Sequence, residues 1–160
     1  MNEEILSTSP EDTEEAGARL GRGIGARDVV YLRGDLGAGK TCFVRGLARG
    51  LGASSREVAS PTFAIVHEYA APGGGLVLRH VDLYRLEDRP ADLQAIGVPD
   101  ALEGAPVAIE WPGRAIRELM PPTIEVVMER GTGESRRIRF EEPGRGPTLR
   151  KSPALRRNDF

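Results

Sequence analysis

Gly34-Asp35-Leu36-Gly37-Ala38-Gly39-Lys40-Thr41 fits G-x-x-x-x-G-K-[ST] without a gap, and no other stretch of the chain restricts its fold as tightly. A phosphate-binding loop works only between a strand and a helix, because the helix N-terminus must face the anion. The flanks meet that demand. Val29-Val30-Tyr31-Leu32 reads as a strand, and Phe43 to Leu51 reads as a helix ended by Gly52. Glycines let the backbone curl close to phosphate oxygens and aim its N–H groups at them. Lys40 would reach the β- and γ-phosphates, and Thr41 would hold Mg²⁺. The chain has two lysines, Lys40 and Lys151, so a chance match to this pattern is rare.

The remaining pattern predicts an α/β, P-loop NTPase-like three-layer fold with a mixed, mostly parallel sheet. Ser9-Pro10-Glu11-Asp12 is a helix start, and Ala16, Leu20 and Ile24 recur at helical spacing up to Gly25. Residues 54–59 read as a polar connection. Ala64 to Tyr69 and Leu76 to Leu83 flank the turn Pro72-Gly73-Gly74-Gly75 and predict an antiparallel hairpin insertion. Pro90 to Ile96 predicts a short helix, and Pro99 to Leu102 a further turn. Val107-Ala108-Ile109-Glu110 is apolar enough for a central parallel strand. Arg114 to Met120 predicts a helix stopped by Pro121-Pro122. Thr123 to Glu129 and Arg136 to Phe140 alternate around Gly131-Thr132-Gly133 as a second hairpin. Residues 1–140 are expected to form one domain, and the Pro/Gly/Arg-rich residues 141–160 a mobile basic tail.

Composition removes several classes. With 160 residues and a net charge of −2, the chain has no global basic field for nucleic acid. Its single cysteine, Cys42, rules out an internal disulfide. The acidic start lacks the regions of a secretory leader, and no apolar run approaches the length of a membrane span. The expected location is cytoplasmic, with no membrane partner.

Hydrolysis needs an acid near the loop, at the C-terminal end of a neighbouring strand. Glu110 ends an apolar run and is the better match to a metal-side acid. Asp82 ends a strand interrupted by charge and could polarise the attacking water or bind a metal-bound water. Which of the two positions that water stays open. Ser60 and Thr62 stand where a γ-phosphate switch or a Pro-ended turn would lie. Trp111 is either core packing or a wall of the nucleotide site. Cys42 is either a reactive thiol or a small helix residue beside the loop. His67 and His80 can face each other across the first hairpin, and plain strand histidines are the simpler reading. No guanine-reading N/T-K-x-D pattern surrounds either lysine, which favours ATP over GTP.

These blocks resemble the TsaE (YjeE) family. The P-loop, Ser60-Pro61-Thr62-Phe63, His80-Val81-Asp82-Leu83-Tyr84-Arg85-Leu86 and Ile109-Glu110-Trp111-Pro112 stand in that family's order and spacing, over roughly residues 8–140. The resemblance implies a slow, partner-stimulated ATPase required for N6-threonylcarbamoyladenosine at position 37 of tRNAs that read ANN codons. It implies TsaB and TsaD as partners, with tRNA met only through their complex. It implies Lys40, Asp82 and Glu110 as catalytic residues, and Thr41 and Glu110 as Mg²⁺ ligands. Gly37, Ala38, Gly39, Lys40, Thr41, Cys42, Trp111 and Thr13 would contact the nucleotide, Thr13 near the adenine. Cys42 stands where the family commonly has a second Thr, and the Arg-rich tail has no clear family counterpart. One arginine of Arg136-Arg137 could approach phosphate. A small-molecule kinase with Arg114 and Arg117 as a lid, or a nucleotide-dependent interaction module without turnover, remain alternatives.

Overall fold

The computed structural model describes residues 3–54, 57–59, 66–86, 89–95, 97 and 103–143. Ser60 and Thr62, residues 99–102 and the tail beyond residue 143 lie outside the described residues. The elements run β1 (Glu3–Ser7), α1 (Pro10–Gly23), β2 (Val29–Arg33), α2 (Lys40–Gly50), β3 (Glu57–Ala59), β4 (Val66–Ala70) and β5 (Leu76–Asp82). They continue as α3 (Pro90–Ala95), β6 (Val107–Glu110), α4 (Arg114–Leu119), β7 (Ile124–Arg130) and β8 (Arg136–Glu141).

The strands form one eight-stranded sheet in the order β1-β8-β7-β2-β6-β5-β4-β3. β7, β2, β6 and β5 are joined by parallel pairings, and both flanks are antiparallel. The loop-bearing strand β2 therefore lies in the parallel centre, where strands are buried on both faces. Val30 and Leu32 pack with α1 and α2 on one face. Tyr31 packs with Leu93 of α3 and Ala115 and Ile116 of α4 on the other. This is the three-layer α/β, P-loop NTPase-like arrangement predicted from the sequence. Both predicted hairpins form, β4 with β5 and β7 with β8.

Helix α1 begins where the sequence places it, with the Ser9 side chain accepting from Asp12 N and Pro10 in the first turn. Its packing on α2 was not predicted. Gly17 and Gly21 of α1 face Gly46 and Gly50 of α2, and a Cβ on any of the four would overlap backbone of the opposite helix. The two helices thus meet main chain to main chain. That contact fixes the axis of α2, and with it the direction in which its first residue, Lys40, leaves the loop.

Two strands were missed. β1 pairs with β8, and its one buried apolar side chain is Ile5, while Leu6 is exposed. Residues 57–59, expected in a polar connection, instead form β3 against β4. Both are short edge strands whose pairing partner, rather than their own apolar pattern, creates them.

Candidate functional site

The loop leaves β2 through Gly34 and enters α2 at Lys40. Gly37 and Gly39 hold φ of +78° and +100°. An L side chain rarely adopts that conformation, so the glycine pattern is a backbone requirement here. Ala38 N donates to Asp35 O at 3.0 Å, closing the turn. Thr41 is exposed on the first turn of α2. The exposed Thr41 hydroxyl and the loop glycines make a cradle of the kind a phosphate chain and its divalent cation require.

Lys40 is buried, and its ammonium donates to Gly34 O across the loop. Burial pushes its pKa down, while Glu110, Asp82 and Asp35 push it back up. All three acids thus act electrostatically on this one cation. Asp82 and Glu110 are register partners at the ends of the parallel pair β5–β6, so their carboxylates emerge side by side. Asp82 is half-buried, and its Oδ1 accepts from Tyr84 N at 3.0 Å. Glu110 is buried, and its Oε1 lies 2.8 Å from His80 Nε2. Among the described residues His80 is the one hydrogen-bonding partner of that carboxylate.

Trp111 is the one described non-glycine residue with positive φ, at 56°. That conformation costs about 1–3 kcal/mol for a bulky side chain and needs support from its surroundings. The support is visible. Lys40 Nζ lies 3.8 Å from the centre of the indole, and Tyr84 packs on it with ring centroids 5.0 Å apart. Trp111 is thus half-buried beside Lys40 and Tyr84, outside both apolar core clusters. A cleft of about 560 Å³ opens beside it, bounded by Gly34, Asp35, Trp111, Pro112, Glu129 and Arg130.

The other sequence candidates divide. Thr13 is buried, and its hydroxyl is shared with Ser7 at 2.7 Å, while its methyl lies 3.5 Å from where a Cβ on Gly39 would stand. It approaches the loop through its methyl group. Cys42 has its thiol 3.1 Å from Pro10 O, and burial pushes its pKa up. A raised value is the opposite of the depressed one that a reactive thiol requires. Arg117 is bound to Glu125 at 2.7 Å and 3.2 Å, which holds it under the sheet and removes it from any lid. His67 and His80 are register partners, as the hairpin predicted, with ring centroids 5.8 Å apart. Among the described residues no group of three or more His, Cys, Asp or Glu forms a ready metal cluster.

Sequence reasoning missed two contributions. Arg130 and Arg136 are paired across β7–β8. Arg130 Nη1 stands 3.8 Å from the Cβ position of Gly37, and Arg136 Nε 3.9 Å from that of Gly39. Both bring positive charge beside the loop. Arg136 had been named without a place, and Arg130 could have been found from the hairpin register. Arg137, the next residue, pairs instead with Glu4 at 3.3 Å. The second is the His80–Glu110 bond. Its signal was the His80-x-Asp82 spacing, which puts both residues on one face of a strand.

Comparison with known proteins gives a consistent result. A family model described as Threonylcarbamoyl adenosine biosynthesis protein TsaE matches residues 7–138. The chain is similar to the tRNA threonylcarbamoyladenosine biosynthesis protein TsaE of Bacillus subtilis, with 37% identity over 139 residues, 86% of this chain and 84% of that protein. The protein of the same name from Treponema pallidum is 42% identical over 122 residues, 76% of this chain and 87% of its own length. The crystal structure of Bacillus subtilis YdiB superposes with a TM-score of 0.65 at 29% identity, covering 90% of this chain and 87% of that one.

Proposed function

The chain belongs to the TsaE family, and on that premise we propose that it is the ATP-hydrolysing subunit in formation of N6-threonylcarbamoyladenosine on tRNA. It acts in the cytoplasm on a complex of TsaB and TsaD and meets tRNA only through that complex. The observation that carries the chemical part is that Lys40, Asp82 and Glu110 interact at the carboxyl ends of the central parallel strands, beside a loop whose glycines require positive φ. A fold of this kind binds ligands at the carboxyl ends of its parallel strands, and all three residues sit there.

The residues divide the work as follows. Backbone N–H groups from Gly37 to Cys42 hold the phosphate chain, and Lys40 adds its charge. Thr41 and Glu110 hold Mg²⁺, which when bound neutralises the charge that builds on the phosphate oxygens. Asp82, nearer to solvent and braced by Tyr84 N, orients a water and accepts its proton. Trp111 shields Lys40 from solvent. Arg130 and Arg136 add positive potential on the far side of the loop.

Phosphate release from Mg-ATP, measured for the chain alone and with TsaB, TsaD and tRNA, tests this reading. Slow release alone and faster release with the partners is the expected result. Full-rate release with no partner response, or a phosphorylated metabolite in place of free phosphate, would overturn it.

A further inference from the structure

His80 lies on β5 two residues before Asp82, so the two side chains share the face of the sheet that carries α2. On β6, Ala108 and Glu110 share that same face, and His80 is in register with Ala108. The Glu110 side chain therefore reaches diagonally back to His80 and meets Nε2 at 2.8 Å. Both side chains are nearly closed to water, at 9% exposure for His80 and 7% for Glu110. A carboxylate offers only lone pairs, so Nε2 donates. The imidazole is itself braced from the neighbouring strand by the ring of His67.

A glutamate side chain has three rotatable bonds, and a metal ligand must stand in one orientation. Oε1 is held by His80, and among the described residues Oε2 is left as the oxygen not committed to a protein donor. We propose that His80 is a positioning residue: its bond to Oε1 fixes the Glu110 carboxylate so that its other oxygen is available to a divalent cation at the loop. The inference rests on the reading of this loop as a Mg²⁺-nucleotide site. It assigns His80 no contact with nucleotide or metal. Its effect passes wholly through Glu110.

The test uses the full chain and the emission of its single tryptophan, Trp111, as the reporter of nucleotide binding. ADP is titrated in chelator, and Mg²⁺ is then titrated at fixed ADP, for the wild type and for His80→Leu, His80→Gln and His80→Asn. A glutamine amide reaches the place of Nε2; an asparagine amide stops short of it. For His80→Leu and His80→Asn the Mg²⁺ concentration at half-saturation should rise about 10- to 100-fold, the usual effect of losing a partner that orients a metal ligand. Affinity for ADP in chelator should stay within about twofold, and His80→Gln should return the Mg²⁺ midpoint towards the wild-type value. If His80→Leu does not fold, the contrast between Gln and Asn carries the same decision. Equal Mg²⁺ midpoints in all four proteins would overturn the role of His80 while leaving the nucleotide site intact. So would an equal loss of ADP affinity in chelator, which would mark a merely structural residue. A wild type whose ADP affinity ignores Mg²⁺ would overturn the metal-site reading, and this inference with it.

Discussion

Two glutamates are buried on strands that flank β2, and they are treated in opposite ways. Glu125 on β7 lies on the α4 face, where it receives Arg117 through two bonds and Arg33 at 3.2 Å. Arg117 also covers the ring of Tyr31, whose hydroxyl donates to Met120 O at 2.6 Å. Every charged side chain in that group has an ion-pair partner within the protein. Glu110 on β6 lies on the α2 face with a cation close by, yet Lys40 donates to Gly34 O, and the bond Glu110 makes is to His80. The first arrangement spends its charge on holding α4 to the sheet. The second keeps an ammonium and a carboxylate near each other and unjoined, beside a strained Trp111. Opposite charges that a fold holds buried near each other without a direct bond are where its chemistry is expected.

The widest separation should come from matched substitutions. Glu110→Gln is expected to slow phosphate release about 10²- to 10³-fold, or ~3–4 kcal/mol in the barrier, with little change in melting temperature. A parallel loss of melting temperature would make Glu110 a structural residue like Glu125. Next in size is the helix clamp, a stability feature. Gly46→Ala gains helix propensity but drives a methyl into Glu14 backbone, so unfolding in denaturant should show a loss of about 3 kcal/mol. An unchanged midpoint would mean that α1 and α2 can separate freely.

Glu125→Gln should cost less, about 1–2 kcal/mol, because both arginine partners are partly exposed and screened. Phosphate release should stay within about threefold of wild type, since Glu125 faces away from the loop. A large kinetic defect with normal stability would erase the contrast between the two acids. The smallest effect is in pH. The Arg117 hydrogen bond, joined by Arg33, holds the Glu125 carboxyl below its ordinary value of 4.5. A depressed carboxyl adds stability above that ordinary value and loses it as pH falls through the lower folded value. The stability gap between wild type and Glu125→Gln should therefore narrow in acid below 4.5. A gap that widens there would reverse the sign of the argument.

The sequence made one of these two regions far easier to read than the other. Gly34 to Thr41, Asp82 and Glu110 were legible because loop, strand and helix must follow one another locally, and a strand-ending acid has a fixed place in such a fold. The Glu125 group was not, because it joins β2, α4 and β7 through side chains whose spacing carries no period. The same reason hid β1, which pairs with residues 136–140 from the other end of the chain. Gly17, Gly21, Gly46 and Gly50 were visible as residues, yet their purpose appears only when the two helices are set together. His80 falls between the cases: the hairpin placed it opposite His67, while its bond to Glu110 required the parallel register of β5 on β6.

The central claim, that the carboxyl ends of the parallel strands around Lys40 and Glu110 form an ATP site, is tested most directly by titrating Mg-ATP into the folded chain and following Trp111 emission. The indole lies 3.8 Å from Lys40 Nζ, so a phosphate chain seated at the loop should change its emission. A saturable change in the wild type, lost in folded Lys40→Ala protein, is the predicted result. No saturable change at millimolar Mg-ATP, or the same change in Lys40→Ala, would contradict the account.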